Sequence, residues 1–248
     1  MKRVLLTGAS SGIGLATAKR LAAEGYELTL VARSGDKLKE LVASLPGRHA
    51  YLVADLSKPE GIENIALHLS DHPYEVLINN AGAGLYGRFT VIPLPDQLAM
   101  MRLNNEAMVI LSYAYLKNAR RGDSLINVGS FLGSTSYSGA STYSGTKGFV
   151  VRFSESLWEE YRKDGIFVCA FNPGLTSSGF HKHAGGAETD FPGYALQSAN
   201  EVARALVKTI RRKDKPYVLS GMKYVCLLFF FRFLPRKTIV KIMGRFRR

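Results

Sequence analysis

The feature that most constrains this chain is the way short apolar runs end in small or polar residues before helix-length segments begin. "RVLLTG" (3–8), "ELTLVAR" (27–33), "HAYLVADL" (49–56), "EVLINNAG" (75–82), "SLINVGS" (124–130), "IFVCAFNPG" (166–174) and "PYVLSG" (216–221) read as seven strands. They are near-continuous in apolar character rather than alternating, as expected of a sheet covered on both faces. Strand–helix alternation predicts parallel pairing through right-handed crossovers, hence an α/β chain with a doubly wound sheet. Hydrophobic residues at 46% of 248 suffice for one well-buried core. In such a sheet ligands bind beyond the carboxyl ends of the strands, so the residues that close each run are the candidates for function.

The charge balance narrows the partners. Of 33 Lys and Arg and 20 Asp and Glu, 13 basic residues and one acid (Asp214) fall in 208–248. The body is therefore nearly neutral and the net +13 belongs to the C-terminal segment, which argues against a nucleic-acid groove across the fold. Cys169 and Cys226, the two cysteines, give neither a disulfide framework nor a metal site, and favour a reducing, cytoplasmic setting. The N-terminal "MKRVLLTGAS" runs straight into a strand and lacks the shape of a signal peptide.

The first strand closes in "TGASSGIG", Thr7 to Gly14. Gly8, Gly12 and Gly14 allow a tight turn and close backbone approach, and the helix that follows offers free N–H groups to a phosphate. The spacing differs from G-x-G-x-x-G. The second strand closes in Ala32–Arg33, where an acid would select NAD and an arginine suits the 2′-phosphate of NADP; no acid is present, so NADP(H) is expected over NAD(H). Asp55–Leu56 close the third strand, Asn79–Asn80–Ala81–Gly82 the fourth, Ser130 the fifth and Pro173–Gly174 the sixth. Thirteen residues after Ser130 comes Tyr143-x-x-x-Lys147, two side chains on one helical face separated by small residues.

Taken in order, Thr7-Gly8-x-x-x-Gly12-x-Gly14, Asp55-Leu56, Asn79-Asn80-Ala81-Gly82, Ser130, Tyr143-x-x-x-Lys147 and Pro173-Gly174 resemble the short-chain dehydrogenase/reductase family over residues 3 to about 220. The resemblance implies one Rossmann-type catalytic domain (1–221) with strand order 3-2-1-4-5-6-7, and carbonyl/alcohol chemistry linked to NAD(P). It implies Tyr143 as general acid and base, Lys147 as the group that lowers its pKa and holds the nicotinamide ribose, and Ser130 as donor to the substrate oxygen. It also implies a helical asparagine before the fifth strand. Asn104, followed by the small Ala107, fits that pattern, with Asn105 as the alternative. The implied cofactor shell comprises Gly8, Ser10, Ser11, Gly12, Ile13, Gly14, Arg33, Asp55, Leu56, Asn80, Ala81, Gly82, Tyr143, Lys147, Pro173 and Gly174. Thr176 and Ser178 complete it after the sixth strand; Ser178 stands where the family usually has threonine.

Residues 175–197 are rich in Gly and Ser and read as a lid over substrate. His181 and His183, an i,i+2 pair without a third ligand, read as a solvated feature of that lid rather than a metal site. The extension 222–248 has an uncharged run from Tyr224 to Phe231, far short of the roughly 20 residues that span a bilayer. After Pro235, Lys237, Lys241 and Arg245 alternate with a face of Ile239, Ile242, Met243 and Phe246. That pattern fits a peripheral contact with an anionic membrane, or a helix pair that covers the cleft or a subunit interface. The expected activity is NADP(H)-dependent reduction of a ketone or aldehyde of an apolar small molecule. The alternative is a non-catalytic NADP-binding regulator or scaffold on the same fold. A homo-dimer or homo-tetramer is implied by resemblance only.

Overall fold

A computed structural model of the chain describes residues 2–187 and 193–245. The elements run β1 (Arg3–Thr7), α1 (Gly12–Ala23), β2 (Glu27–Ala32), α2 (Gly35–Ser44), β3 (His49–Val53), α3 (Pro59–Asp71), β4 (Val76–Asn79), α4 (Leu94–Met101), α5 (Ala107–Leu116), β5 (Ser124–Val128), α6 (Ser141–Tyr161) and β6 (Phe167–Asn172). Then follow β7 (Thr176–Ser177), α7 (Phe180–His183), β8 (Gln197–Ser198), α8 (Ala199–Arg212), β9 (Tyr217–Leu219), α9 (Met222–Phe231) and α10 (Arg236–Arg245).

Seven strands form one parallel sheet in the order β3-β2-β1-β4-β5-β6-β9, as the resemblance implied, with the last strand being β9. The extra pair β7–β8 lies outside it, inside the expected lid. Central β1 pairs with β2 through Leu5↔Thr29 and with β4 through Leu5↔Leu77. The chain leaves β1 in opposite directions on its two sides, which opens a crevice at its carboxyl end.

Side chains alternate across the sheet and feed two cores. Val4, Leu6, Leu28, Leu30 and Ile78 point to one face, against α1, α2 and α8. Leu5, Val31, Leu77, Leu125 and Val168 point to the other, against α3 and α5. Strand β3 departs from the all-buried pattern: it is an edge strand, and Tyr51 and Val53 are exposed. Helix α8 starts on a full capping box between Ser198 and Glu201.

The strands stop earlier than their apolar runs. At β4 the reason is visible. The Asn80 and Ala81 N–H groups both donate to the Thr7 hydroxyl, at 3.0 and 2.9 Å, so the backbone leaves the ladder one residue before Ala81. Sequence motif and strand are thus adjacent but distinct: the strand supplies the rigid base and the motif begins where pairing ends.

Candidate active site

The glycine turn requires bare backbone. Gly8 has φ +68°, and a Cβ there would lie 2.8 Å from Ala81 Cα. A Cβ at Gly14 would run into the carbonyl oxygen of Gly8, so only glycine lets α1 start this close to β1. Ser11 is the N-cap of α1, and its side chain does not cap the helix. The first N–H groups of α1 therefore stay directed beyond the sheet. Asn80 braces the turn from the side, donating through Nδ2 to the carbonyls of Thr7 and Gly8 at 2.9 and 3.2 Å. This cradle has the backbone donors, dipole and steric clearance that a dinucleotide phosphate needs, so the residues fit the implied cofactor.

Next along the sheet edge, Asp55 accepts from both the backbone and the hydroxyl of Ser57, at 3.0 and 2.7 Å. Burial works to raise its pKa, but the Ser57 hydrogen bonds, with Arg33 and Lys58 nearby, hold the carboxyl below its ordinary value. Arg33 itself is exposed and faces the same cleft.

Ser130 follows β5 in extended backbone. Its N–H donates to Asn172 Oδ1 at 3.1 Å and its hydroxyl accepts from Leu132 N at 3.1 Å. Tyr143 and Lys147 sit one turn apart on α6 and are 6% and 5% exposed. The Ser130 side chain faces the Tyr143 hydroxyl and favours its ionised form. Lys147 Nζ donates to the Val128 carbonyl at 2.9 Å and lies 5.9 Å from the Tyr143 ring centre. A side chain at Gly82 would fall 3.1 Å from Asn104 Oδ1 and 3.4 Å from Lys147 Nζ, so these two groups converge on one backbone position.

Burial pushes the Tyr143 phenol up to about 12, only partly offset by Ser130, and burial also brings Lys147 down to about 8. In the bare chain burial thus keeps the phenol neutral at pH 7.

The asparagine doublet resolves by geometry. A π-helical turn, Arg102–Glu106, joins α4 to α5 and turns Asn104 inward. Asn104 Oδ1 accepts from Ala83 N and its Nδ2 donates to Ala83 O, both at 2.9 Å, with a further bond to Thr146 Oγ1. Asn105 reaches only the Thr146 carbonyl, at 2.9 Å.

One cavity of about 1010 Å³ gathers all of the expected site residues except Asn104, which stands behind the wall. Sequence reasoning missed several of its walls. Asn172 positions Ser130 and is signalled only by its place before Pro173–Gly174. Phe180 packs against the Tyr143 ring with its plane tilted, ring centres 5.7 Å apart. Tyr86 bonds His181 Nδ1 at 3.1 Å. His181 is therefore 4% exposed and not a solvated lid residue: its ring is used to close the cavity over Tyr86. The side chain of His183 and residues 188–192 of the expected lid lie outside the described residues. Among the described residues no cluster of three His, Cys, Asp or Glu is present.

Of the two parts its pattern allowed, the extension takes that of a helix pair covering the cleft. Tyr224, Leu227 and Met243 line the cavity. The Tyr224 hydroxyl accepts from Leu175 N at 3.0 Å and donates to the Ala195 carbonyl. Lys223 Nζ donates to the carbonyls of Tyr194 and Leu196. The face of α10 that reads as membrane-directed turns inward: Met243 is buried and Ile239 and Ile242 pack on the same cluster as Phe131, because the cleft beside Phe131 offers them apolar cover. Phe246 lies outside the described residues. No described helix is long and apolar enough to cross a membrane.

Comparison with known proteins agrees with this geometry. The family model "short chain dehydrogenase" matches residues 2–188. An NADP-dependent 3-hydroxy acid dehydrogenase of Schizosaccharomyces pombe is 34% identical over 242 residues, covering 90% of this chain and 92% of that protein. A 3-oxoacyl-[acyl-carrier-protein] reductase of Mus musculus is 29% identical over 223 residues, covering 88% and 93%. A short-chain dehydrogenase from Sphingobium yanoikuyae in complex with NADPH superposes with a TM-score of 0.83 at 28% identity, covering 94% of this chain and 93% of that one. The glycine cradle, the sheet order and the helix that carries Tyr143 are thus those of a shared design, and the chain belongs to the short-chain dehydrogenase/reductase family of NAD(P)-dependent oxidoreductases.

Proposed function

We propose that the protein is an NADP(H)-dependent reductase of a ketone or aldehyde carried by an apolar small molecule, and of the matching alcohol in reverse. The observation that carries this reading is the convergence of Ser130, Tyr143 and Lys147 on one cavity walled by groups such as Leu85, Met100, Leu103 and Phe180, with Lys147 Nζ 5.9 Å from the Tyr143 ring centre. When bound, the nicotinamide supplies the hydride to the carbonyl carbon. Tyr143 gives its hydroxyl proton to the carbonyl oxygen, and the C=O becomes CH–OH. Its neutral phenol at pH 7 suits it to act as the acid in reduction. Ser130 donates to the same oxygen as charge develops there. Lys147 stabilises the phenolate left behind and holds the ribose hydroxyls, while Asn104 secures the backbone at Ala83. Arg33 pairs with the 2′-phosphate, which favours NADP(H); an NADPH complex of a relative of similar fold and an NADP-dependent relative support that choice. The exposed Tyr113 on α5 and Phe149 on α6 support pairing of subunits through these two helices. A scaffold function would leave the convergence of Ser130, Tyr143 and Lys147 without a use, and no feature favours it.

The test is NADPH oxidation against a panel of apolar ketones and aldehydes, with Tyr143→Phe as control. Turnover should fall by at least about 10²- to 10⁴-fold in that variant, while NADPH binding measured by fluorescence stays within about twofold. Near-normal turnover of Tyr143→Phe overturns the mechanism. An inert wild type with intact NADPH binding overturns the activity.

A further inference from the structure

Helix α9 is apolar on two opposite sides. Tyr224, Leu227, Leu228 and Phe231 recur at helical spacing and pack inward, against Phe131 and the cavity. Met222, Val225, Phe229 and Phe230, with Phe233 just past the helix end, form the other stripe and are between 42% and 75% exposed. Single exposed apolar residues are ordinary; a run of them along one helix side, three of them phenylalanines with touching rings, is a patch that calls for cover. A helix that is hydrophobic all round is normally buried all round.

The charges beside the stripe say what covers it. Arg232, Arg236, Lys237 and Lys241 are exposed, and the chain has no acid after Asp214. Among the described residues none of the four has an acidic partner in an ion pair. A second copy laid on this face would bring two sets of like charges together. An acidic protein surface would answer the cations but leave the phenylalanines without an apolar medium. An anionic bilayer meets both demands, with rings at the acyl boundary and cations at the phosphates. We propose that the outer stripe of α9 and the basic side of α10 dock this protein on an anionic lipid surface. The attachment is by α9, not by the Ile239–Met243 face of α10, which is already spent inside.

The inner side of α9 walls the cavity, so docking sets that wall against the bilayer. A carbonyl compound dissolved in the membrane is then the favoured substrate. That step rests on the reductase reading, whereas docking does not, and vesicle binding is measured without turnover.

Full-length protein is sedimented with vesicles of phosphatidylcholine alone and of phosphatidylcholine carrying phosphatidylserine, at low and high salt. Binding is expected only with phosphatidylserine, and high salt should weaken it. The triple variant Phe229→Ser, Phe230→Ser, Phe233→Ser should bind at least about tenfold more weakly, with its reduction of a water-soluble ketone unchanged, since none of the three lines the cavity. Arg236→Glu, Lys237→Glu, Lys241→Glu should lose binding as well. Indifference of the wild type to phosphatidylserine vesicles at low salt overturns the proposal. So does vesicle binding that survives the serine variant, which would mark a purely charge-driven surface such as an acidic protein would use. A lipid-free oligomer that the serine variant breaks up overturns it in favour of a second copy. A protein that binds vesicles but reduces no carbonyl leaves the docking standing and removes only the catalytic reading.

Discussion

The cavity has a floor and a roof built on different principles. The floor is the row of strand ends, where polar side chains hold one another: Thr7 takes two N–H groups from Asn80 and Ala81, Asn172 fixes Ser130, and Asn104 clamps Ala83 from both sides. The roof is α9, α10 and the segment 193–196 before β8, joined to the body by apolar packing around Phe131 and tied within itself by the bonds from Lys223 to the Tyr194 and Leu196 carbonyls. Buried polar networks tolerate few alternatives, because each broken bond strands a partner without water. Apolar packing tolerates many, provided volume is kept. On the proposed function, the contrast assigns the reaction to the floor and the choice of substrate to the roof.

Gly14→Ala is the most severe way to test the floor. Its new Cβ meets the Gly8 carbonyl oxygen, a backbone atom that cannot swing aside. The turn and α1 must part, and NADPH affinity should fall by at least about 100-fold with a lowered melting temperature. An alanine variant that binds NADPH normally would show that the cradle is not where the phosphates sit.

Lys147→Met separates the floor's chemistry from its stability. The ammonium is held at about 8 against 10.5 for a free lysine, a difference that converts to about 3 kcal/mol. Below pH 8 the folded protein carries a buried charge at that cost. Between 8 and 10.5 the unfolded chain binds a proton that the folded one has released, so wild-type stability rises with pH. Methionine keeps the packing and removes the charge, but it leaves the Val128 carbonyl unpaired, at about 1 kcal/mol. The variant should therefore be inactive yet more stable than wild type by about 1–2 kcal/mol near neutral pH, and the gain should shrink towards about pH 10. Thermal melts at the two pH values decide it; a gain that grows with pH would reverse the sign of the Lys147 effect.

Arg33→Asp acts at the floor's solvent edge, where less is at stake. It should shift the NADPH-to-NADH ratio of kcat/KM by about 10- to 100-fold towards NADH, without changing the substrate profile. An unmoved ratio places the 2′-phosphate elsewhere.

Most of the floor, Asn172 excepted, was readable in the sequence because its residues are demanded by backbone geometry or by chemistry at a strand end. Glycine at 8 and 14, Ser130 after an apolar run, and Tyr143 four before Lys147 all announce themselves. The roof was not, since its residues are chosen for volume and their partners are distant in sequence: nothing in "KYVCLLFFF" says that Tyr224 reaches back to Leu175. His181 was misread, and the inner face of α10 was left with two possible covers, for the same reason: polarity and periodicity indicate an amphipathic side but not which neighbour covers it. The choice between Asn104 and Asn105 needed the π-turn, which has no local sequence signal.

Tyr224→Phe is the smallest change and the most direct probe of the seam between the two regions. The ring stays against Phe131, at 5.2 Å, so the packing of the roof survives. What goes is the hydroxyl that accepts from Leu175 N and donates to the Ala195 carbonyl, the tie between α9 and the two ends of the segment above the cavity. Two part-buried hydrogen bonds should be worth about 1–3 kcal/mol together, seen as a modest fall in melting temperature. If roof and floor divide the work as their construction implies, KM for a bulky ketone should change several-fold, while kcat and NADPH affinity hold within about twofold. A drop in kcat approaching that of Tyr143→Phe would break the division, because it would mean that the position of the roof, and not only the floor, decides whether Tyr143 meets the carbonyl oxygen.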